Sequence, residues 1–296
     1  NFLGNGQSLS LNLQLSGLRQ NVQLRFMEPH FFNTDWNFGF NLNKVIRQFQ
    51  IFVRDTTGGS LSLGHPIFDD RLRLYATYQA EHIQIGSRTT GIFGGGSNAA
   101  GLTQLPRLPL ANLFRSGLTS SLRLSLSWDS RNDRMVPTDG VYATLSTEVA
   151  DEYLGSTNNF IQHNLDSRFY YQLFNFNPQQ PGIVFRTRLS GSLITSRSGI
   201  GVPIDRRLYL GGINDVRGFP LWSLGPRLGL PSSTDPNANI AFAGLPIGGN
   251  LRLFYNVEIE FPIVQDVGIR GVIFTDGGNS WNTERALCGA LANEGD

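Results

Sequence analysis

Apolar and polar residues alternate along most of this chain. Residues 9–15 read Leu-Ser-Leu-Asn-Leu-Gln-Leu, and residues 122–128 read Leu-Arg-Leu-Ser-Leu-Ser-Trp. From Leu251 to Phe261 one set holds Leu251, Leu253, Tyr255, Val257, Ile259 and Phe261, and the other holds Arg252, Phe254, Asn256, Glu258 and Glu260. Side chains on a strand point alternately to its two faces, so period two places one face in an apolar medium and the other in a polar one. The template finds about eleven such segments. They fall near 8–18, 20–30, 36–54, 58–65, 70–86, 115–131, 140–151, 159–175, 182–197, 250–262 and 268–281. Turn chemistry separates them: Gly17, Pro29, Asp55 to Gly59, Asp69-Asp70, Pro137 to Gly140, Asn177 to Gly182 and Pro262 to Asp266. No segment reads as a helix.

Two architectures suit many alternating strands. A soluble sandwich or lipocalin-like barrel turns the apolar face inward to a core, whereas a membrane barrel turns it outward to lipid around a polar lumen. The polar faces here carry several charges or amides on one strand, as with Arg71, Arg73, Gln79 and Glu81. Strands of about nine to eleven residues or more suit a tilted bilayer crossing. Aromatics gather near strand ends (Phe31, Phe32 and Trp36; Trp128; Tyr170 and Tyr171; Phe174 and Phe176; Trp281), as in an aromatic girdle. The connections at 87–114 and 198–249 are long, while those at 131–140, 176–182 and 262–267 are short, which gives one long rim and one short rim. The pattern therefore favours an all-β chain forming a transmembrane antiparallel β-barrel over residues 1–281.

Composition sharpens this picture. Charged residues make up 16% of the 296 residues, against about 25% in a typical soluble domain. Lys44 is the only lysine, and no run approaches the roughly 20 apolar residues of a spanning helix. A net charge of +1 gives no general attraction to nucleic acid. The single cysteine, Cys288, excludes an internal disulfide framework or a cysteine-based metal site. The chain opens on Asn1 without a signal peptide, as an excised or processed piece would.

Residues 198–249 make a loop of more than fifty residues, far beyond the usual handful, and structureless loops longer than about 15 are usually functional. It contains Gly211-Gly212-Ile213-Asn214-Asp215-Val216-Arg217-Gly218-Phe219-Pro220. Val216-Arg217-Gly218-Phe219 resembles the Val-Arg-Gly-Phe/Tyr signature of the BamA-type outer-membrane assembly proteins, in which it tips a long external loop folded back into the barrel. Phe274-Thr275-Asp276-Gly277-Gly278 is similar to that family's Phe-x-Asp-x-Gly strand. Asp129-Ser130-Arg131 with Pro137-Thr138-Asp139-Gly140 is similar to its Asp-x-Arg…Pro-Thr-x-Gly turn. Asn1 to Gln7, with Glu28-Pro29-His30-Phe31, resembles its first strands, so the likeness runs in order along nearly the whole chain.

An arginine carried into a barrel interior must meet carboxylate, because an unpaired buried charge is costly. Glu258 and Glu260 share the polar face of one strand, and Asp276 lies on the next. A guanidinium can serve two carboxylates with directed hydrogen bonds. The resemblance places Arg217 against Asp276 and Glu260, with Glu258 as the alternative, and makes these residues structural braces rather than catalytic groups. The bland reading is a surface turn at Arg-Gly-Phe-Pro and a hairpin end at Asp-Gly-Gly-Asn; the motifs' joint appearance on alternating strands argues against it.

Other chemistry finds little support. His30, His65, His82 and His163 show no ligand spacing, Gly94 to Ser97 lacks a phosphate-loop Lys, and Asp235 to Asn239 copies only the first half of a calcium loop. No cofactor, metal or enzymatic activity is expected. The resemblance implies about eleven of roughly sixteen strands. On that resemblance the seam strands and the POTRA domains are expected to lie outside this chain, and 282–296 is expected to begin an external loop or irregular tail. It further implies a bacterial outer-membrane factor that folds and inserts barrel proteins. The expected partners are outer-membrane lipids, unfolded barrel clients and accessory lipoproteins that bind through the POTRA domains; nucleic acid is not among them. Two-partner secretion or TamA-like translocation pores, organelle import pores and a passive porin remain the rival readings.

Overall fold

Alternating sequence becomes one long antiparallel ribbon, because each short turn returns the chain beside the strand it has just left. The computed structural model describes residues 6–17, 19–49, 52–87, 113–175, 182–228, 245–264 and 267–284. Its strands are β1 (Ser8–Leu15), β2 (Arg19–Glu28), β3 (Asn37–Gln48), β4 (Phe52–Pro66), β5 (Leu72–Ser87), β6 (Gly117–Asp129), β7 (Gly140–Ala150), β8 (Phe160–Phe174), β9 (Ile183–Ser196), β10 (Arg227–Leu228), β11 (Leu245–Pro246), β12 (Leu251–Val264) and β13 (Ile269–Trp281). Eleven of them form a single sheet in the order β1 to β9, then β12 and β13, with every pair antiparallel. Among the described residues the sheet does not close, and β1 and β13 are its edges. β10 and β11 form a separate ladder within the long loop, which the sequence pattern did not indicate.

One face of the sheet carries a band of exposed apolar side chains, among them Leu11, Leu42, Leu61, Leu122, Leu124, Leu145, Leu165, Leu189, Leu253 and Ile273. An exposed apolar surface of this extent marks contact with another apolar phase, here lipid. Among the described residues no helix is long and apolar enough to cross a membrane; strands do the crossing. The opposite face is polar, and the long loop lies against it. The core sits there, in three buried clusters that each join wall to loop: Phe52 with Leu113 and Ile204; Ala150, Phe160 and Ile194 with Val202 and Leu208; Phe254 with Leu210 and Val216.

The segment from Asp55 to Gly59 reads as a turn but lies inside β4. The reversal comes earlier, where the Phe49 N–H donates to the Phe52 carbonyl at 2.8 Å. Asp55 is paired with Lys44 at 2.5 Å. The glycine at 58 serves close approach rather than turning, since a Cβ there would stand 2.3 Å from the Ala80 carbonyl oxygen. Two single turns of 3-10 helix, Phe31–Asn33 and Glu152–Leu154, lie between strands. Trp128, Tyr171 and Phe174 stand exposed at one rim and Trp281 at the other. Tyr170, expected in the girdle, faces inward instead: it pairs with Arg186 across β8 and β9, and the Arg186 guanidinium lies 5.9 Å from its ring centroid. Asn1 to Asn5, Gly94 to Ser97, Phe176, Asp235 to Asn239, Cys288 and the tail beyond residue 284 lie outside the described residues.

Candidate functional site

The tip of the long loop is clasped by β12 and β13. Register sets the receptor: Asn256 pairs with Asp276, and Glu258 pairs with Phe274, all four on the inner face. Directly opposed residues have Cβ atoms about 4.5–5.5 Å apart, so this square of side chains is small enough for one guanidinium to touch every corner. The Nε and Nη2 of Arg217 donate to Asp276 at 2.6 and 2.7 Å. Its Nη1 lies 2.6 Å from a Glu258 oxygen, and its guanidinium carbon stands 3.7 Å from the centroid of the Phe274 ring. The Arg217 backbone N–H also donates to Asp276 at 3.0 Å. Asn256 fills the fourth corner, donating to Asp276 at 2.8 Å and to the Asp215 carbonyl at 2.6 Å. The hydrogen bonds to Asp276 raise the Arg217 pKa further above its already high ordinary value, so the tip stays cationic.

The expected partner Glu260 is not in this clasp. It pairs with Val272, one inner-face step farther along the strand, where it meets Arg186 at 2.5 Å and also Arg270. Two residues of strand span about 6.6 Å, so a guanidinium bidentate on Asp276 reaches Glu258 and stops short of Glu260. The two glutamates are divided between two sets of arginines.

Neighbouring motif residues shape the same place. Val216 is buried against Leu210 and Phe254. Gly218 has φ +86°, the left-handed turn that follows the tip. Phe219 is half exposed, and its carbonyl accepts from the Gly212 N–H at 3.1 Å. Gly278 lies on the inner face beside Phe254, while Gly277 faces outward beneath the Tyr255 ring. The turn motif is not part of the site. Arg131 donates to both oxygens of Asp129 at 2.9 Å, Pro137 and Thr138 are buried, and Gly140 starts β7, all at the rim opposite the loop.

Several groups that hold the loop belong to none of the sequence motifs. Arg188 donates to the Asn214 carbonyl at 3.1 Å and is itself held by Asp166 at 2.7 Å. At the loop base, Arg206 and Arg207 turn into separate polar nests. Their adjacency in Asp205-Arg206-Arg207, within so long a loop, was the available signal. Among the described residues no group of three or more His, Cys, Asp and Glu is placed to hold a metal ion.

A lipid-facing antiparallel wall with an arginine-tipped loop salt-bridged to its inner face defines a transmembrane β-barrel of the inward-loop type. The chain belongs to the Omp85 superfamily, whose domain model matches residues 1–292. It is similar to the outer membrane protein assembly factor BamA of Nitratidesulfovibrio vulgaris, with 23% identity over 96% of this chain and 32% of that protein. The Sorting and assembly machinery component 50 homolog of Bos taurus is 26% identical over 77% of this chain and 44% of its own length. The chain thus spans less than half the length of these relatives. BamA from Haemophilus ducreyi lacking POTRA domains 1–3 shares the fold with a TM-score of 0.74 and 22% identity, over 99% of this chain and 56% of that one. CdiB from Acinetobacter baumannii gives a TM-score of 0.53 at 14% identity, over 94% of this chain and 44% of that one.

Proposed function

We propose that this chain is barrel wall and inward loop of an assembly factor that folds and inserts β-barrel proteins into the bacterial outer membrane. The observation that carries this reading is similarity over 96% of the chain to a protein named for outer-membrane protein assembly, joined to the Arg217 clasp on Asp276 and Glu258. The work is physical: strands are templated and released, with no covalent step, metal or cofactor. An unpaired strand edge is a ready template for another strand. The loop braces the wall from within while such an edge is exposed elsewhere in the parent barrel. Clients are unfolded barrel proteins. Outer-membrane lipids surround the apolar band, and accessory lipoproteins dock on domains outside this chain.

Reconstitution of the full-length parent into vesicles tests this. Added unfolded porin should convert to its heat-resistant folded form faster than in empty vesicles. A parent that gives steady conductance or exports a secreted partner, and leaves porin folding unchanged, overturns the reading in favour of a passive or translocating pore.

A further inference from the structure

The loop base carries two adjacent arginines that diverge. Arg206 enters a nest of three carboxylates: Glu81 on β5 at 3.5 Å, Glu148 on β7 at 3.7 Å and its neighbour Asp205 at 3.7 Å. Glu148 and Asp205 are almost wholly buried. Arg54 lies near Glu81 and Asp205, and Arg123 bonds Glu148, so three cations balance three anions. The Ser121 hydroxyl donates to Glu148 at 2.8 Å, and the Arg206 guanidinium lies 5.3 Å from the Phe160 ring centroid. Arg207 turns the other way, to the end of the loop just before β12 and to the segment that follows β13. Fully buried, it donates to the carbonyls of Ile247 and Gly248 at 2.9 and 3.0 Å and to Asn282 at 2.7 Å, and it lies 3.4 Å from Glu284. Glu284 also accepts from the Val202 N–H at 3.2 Å, and Thr283 donates to Asn250.

These two nests lie far apart along the sheet. β5 and β7 are separated from β13, which Asn282 and Glu284 directly follow, by β8, β9 and β12. Adjacent residues of one short segment therefore tie two distant parts of a curved wall, as a chord ties an arc. Flattening the wall would lengthen the chord and pull a buried arginine from its carboxylates, and uncompensated buried charge resists this.

We propose that Arg206 and Arg207 are positioning residues that anchor the loop base as a crossbar, independently of the Arg217 clasp, so that tip and base release separately. Among the described residues the side chains that hold Arg206 and Arg207 are distinct from those that clasp Arg217, and Arg252, which donates to the Tyr209 carbonyl at 3.4 Å and lies 5.6 Å from the Phe254 ring centroid, stands between the two. The base is packed on Phe52, Phe160 and Ile194, and the tip on Phe254. Local openings of a folded protein divide along such boundaries of packing.

Thiol labelling of the full-length parent in membranes tests the proposal. In a parent with every cysteine, Cys288 included, replaced by serine, Ile204→Cys reports the base and Val216→Cys the tip; both wild-type side chains are buried. Arg206→Gln should speed maleimide labelling at position 204 by about tenfold or more while position 216 changes less than about twofold. Asp276→Asn should do the reverse, and Arg206→Lys should recover part of the protection at 204. If Arg206→Gln fails to yield a heat-resistant barrel, Glu148→Gln asks the same question from the wall side. Equal gains at both positions, in either variant, would show one cooperative lid and overturn the proposal. So would unchanged labelling at 204 in a folded Arg206→Gln or Glu148→Gln barrel. The readout follows the loop alone, so it is independent of whether the parent assembles porins.

Discussion

The clasp at the loop tip predicts an unequal cost for its two acids. Asp276 is the inner partner: its side chain is 3% exposed, it takes both parallel bonds from Arg217, and it accepts from the Arg217 backbone and from Asn256. Glu258 takes one bond and keeps 24% exposure, so water can replace what it loses. Breaking a buried pair from one side costs about 3–5 kcal/mol. Arg217 is itself one-quarter exposed and would keep Glu258, which brings Asp276→Ala to roughly 3 kcal/mol after discounting for solvent. Arg217→Ala leaves Asp276 buried with Asn256 as its remaining side-chain donor, and belongs at about 3–4 kcal/mol. Glu258→Ala belongs near 1 kcal/mol, the scale of a half-solvated pair. The double variant Arg217→Ala/Asp276→Ala should cost well under the sum of its singles, with a coupling of about 2 kcal/mol. Arg217→Lys loses the planar fork and should rescue only part. The assay is a urea titration of the full-length parent in lipid, scored by the fraction that migrates as the compact unheated form. Additivity of Arg217→Ala and Asp276→Ala would refute the clasp, as would a Glu258→Ala loss equal to that of Asp276→Ala.

Two further substitutions probe the wall around the site. Phe254→Ala removes the ring on which Leu210 and Val216 rest; it should cost about 3–5 kcal/mol in the same titration and loosen the tip even with Arg217 intact. Gly140→Ala puts a Cβ 2.4 Å from the Ser130 carbonyl oxygen at φ +106°, so folded yield should fall by a strain of roughly 1–3 kcal/mol or more. That turn lies at the far rim, so protease protection of the loop in the surviving folded barrels should equal wild type.

Period two made the wall legible because the chain meets a different solvent on each face. All eleven long strands follow from it, as does most of their order, since most turns are short enough to force neighbours together; the β5–β6 and β9–β12 neighbours are joined by the two long connections and are not fixed in this way. The reading failed where a glycine had two meanings. Thr57-Gly58-Gly59 looks like a reversal, and what decides otherwise is the closeness of β5, which no local pattern encodes. It failed again in choosing between Glu258 and Glu260, because both lie on the inner face and only the β12–β13 register tells which is opposite Phe274. The loop was the least legible part. Its docking depends on pairing between segments more than a hundred residues apart, as with Arg206 and Glu81.

Yet the footprint of that loop is written in the strands as departures from alternation. Phe52, Ala150, Phe160, Ile194 and Phe254 all occupy positions whose neighbours two residues away are lumenal and mostly polar: Arg54, Glu148, Gln162, Ser192, Arg252 and Asn256. An apolar side chain there would face water in an empty barrel and would cost about 1.5–3 kcal/mol against burial. Each is 1% exposed or less, because the loop covers it. All five also lie in the half of their strands nearest the rim from which the loop enters: at the starts of β4, β8 and β12 and at the ends of β7 and β9. These five residues therefore mark part of the area that the loop occupies. Beyond that area, on the inner faces of β2 and β3, alternation resumes with Asn21, Gln23, Asn41 and Asn43, so the loop fills one side of the interior and leaves the other to amides.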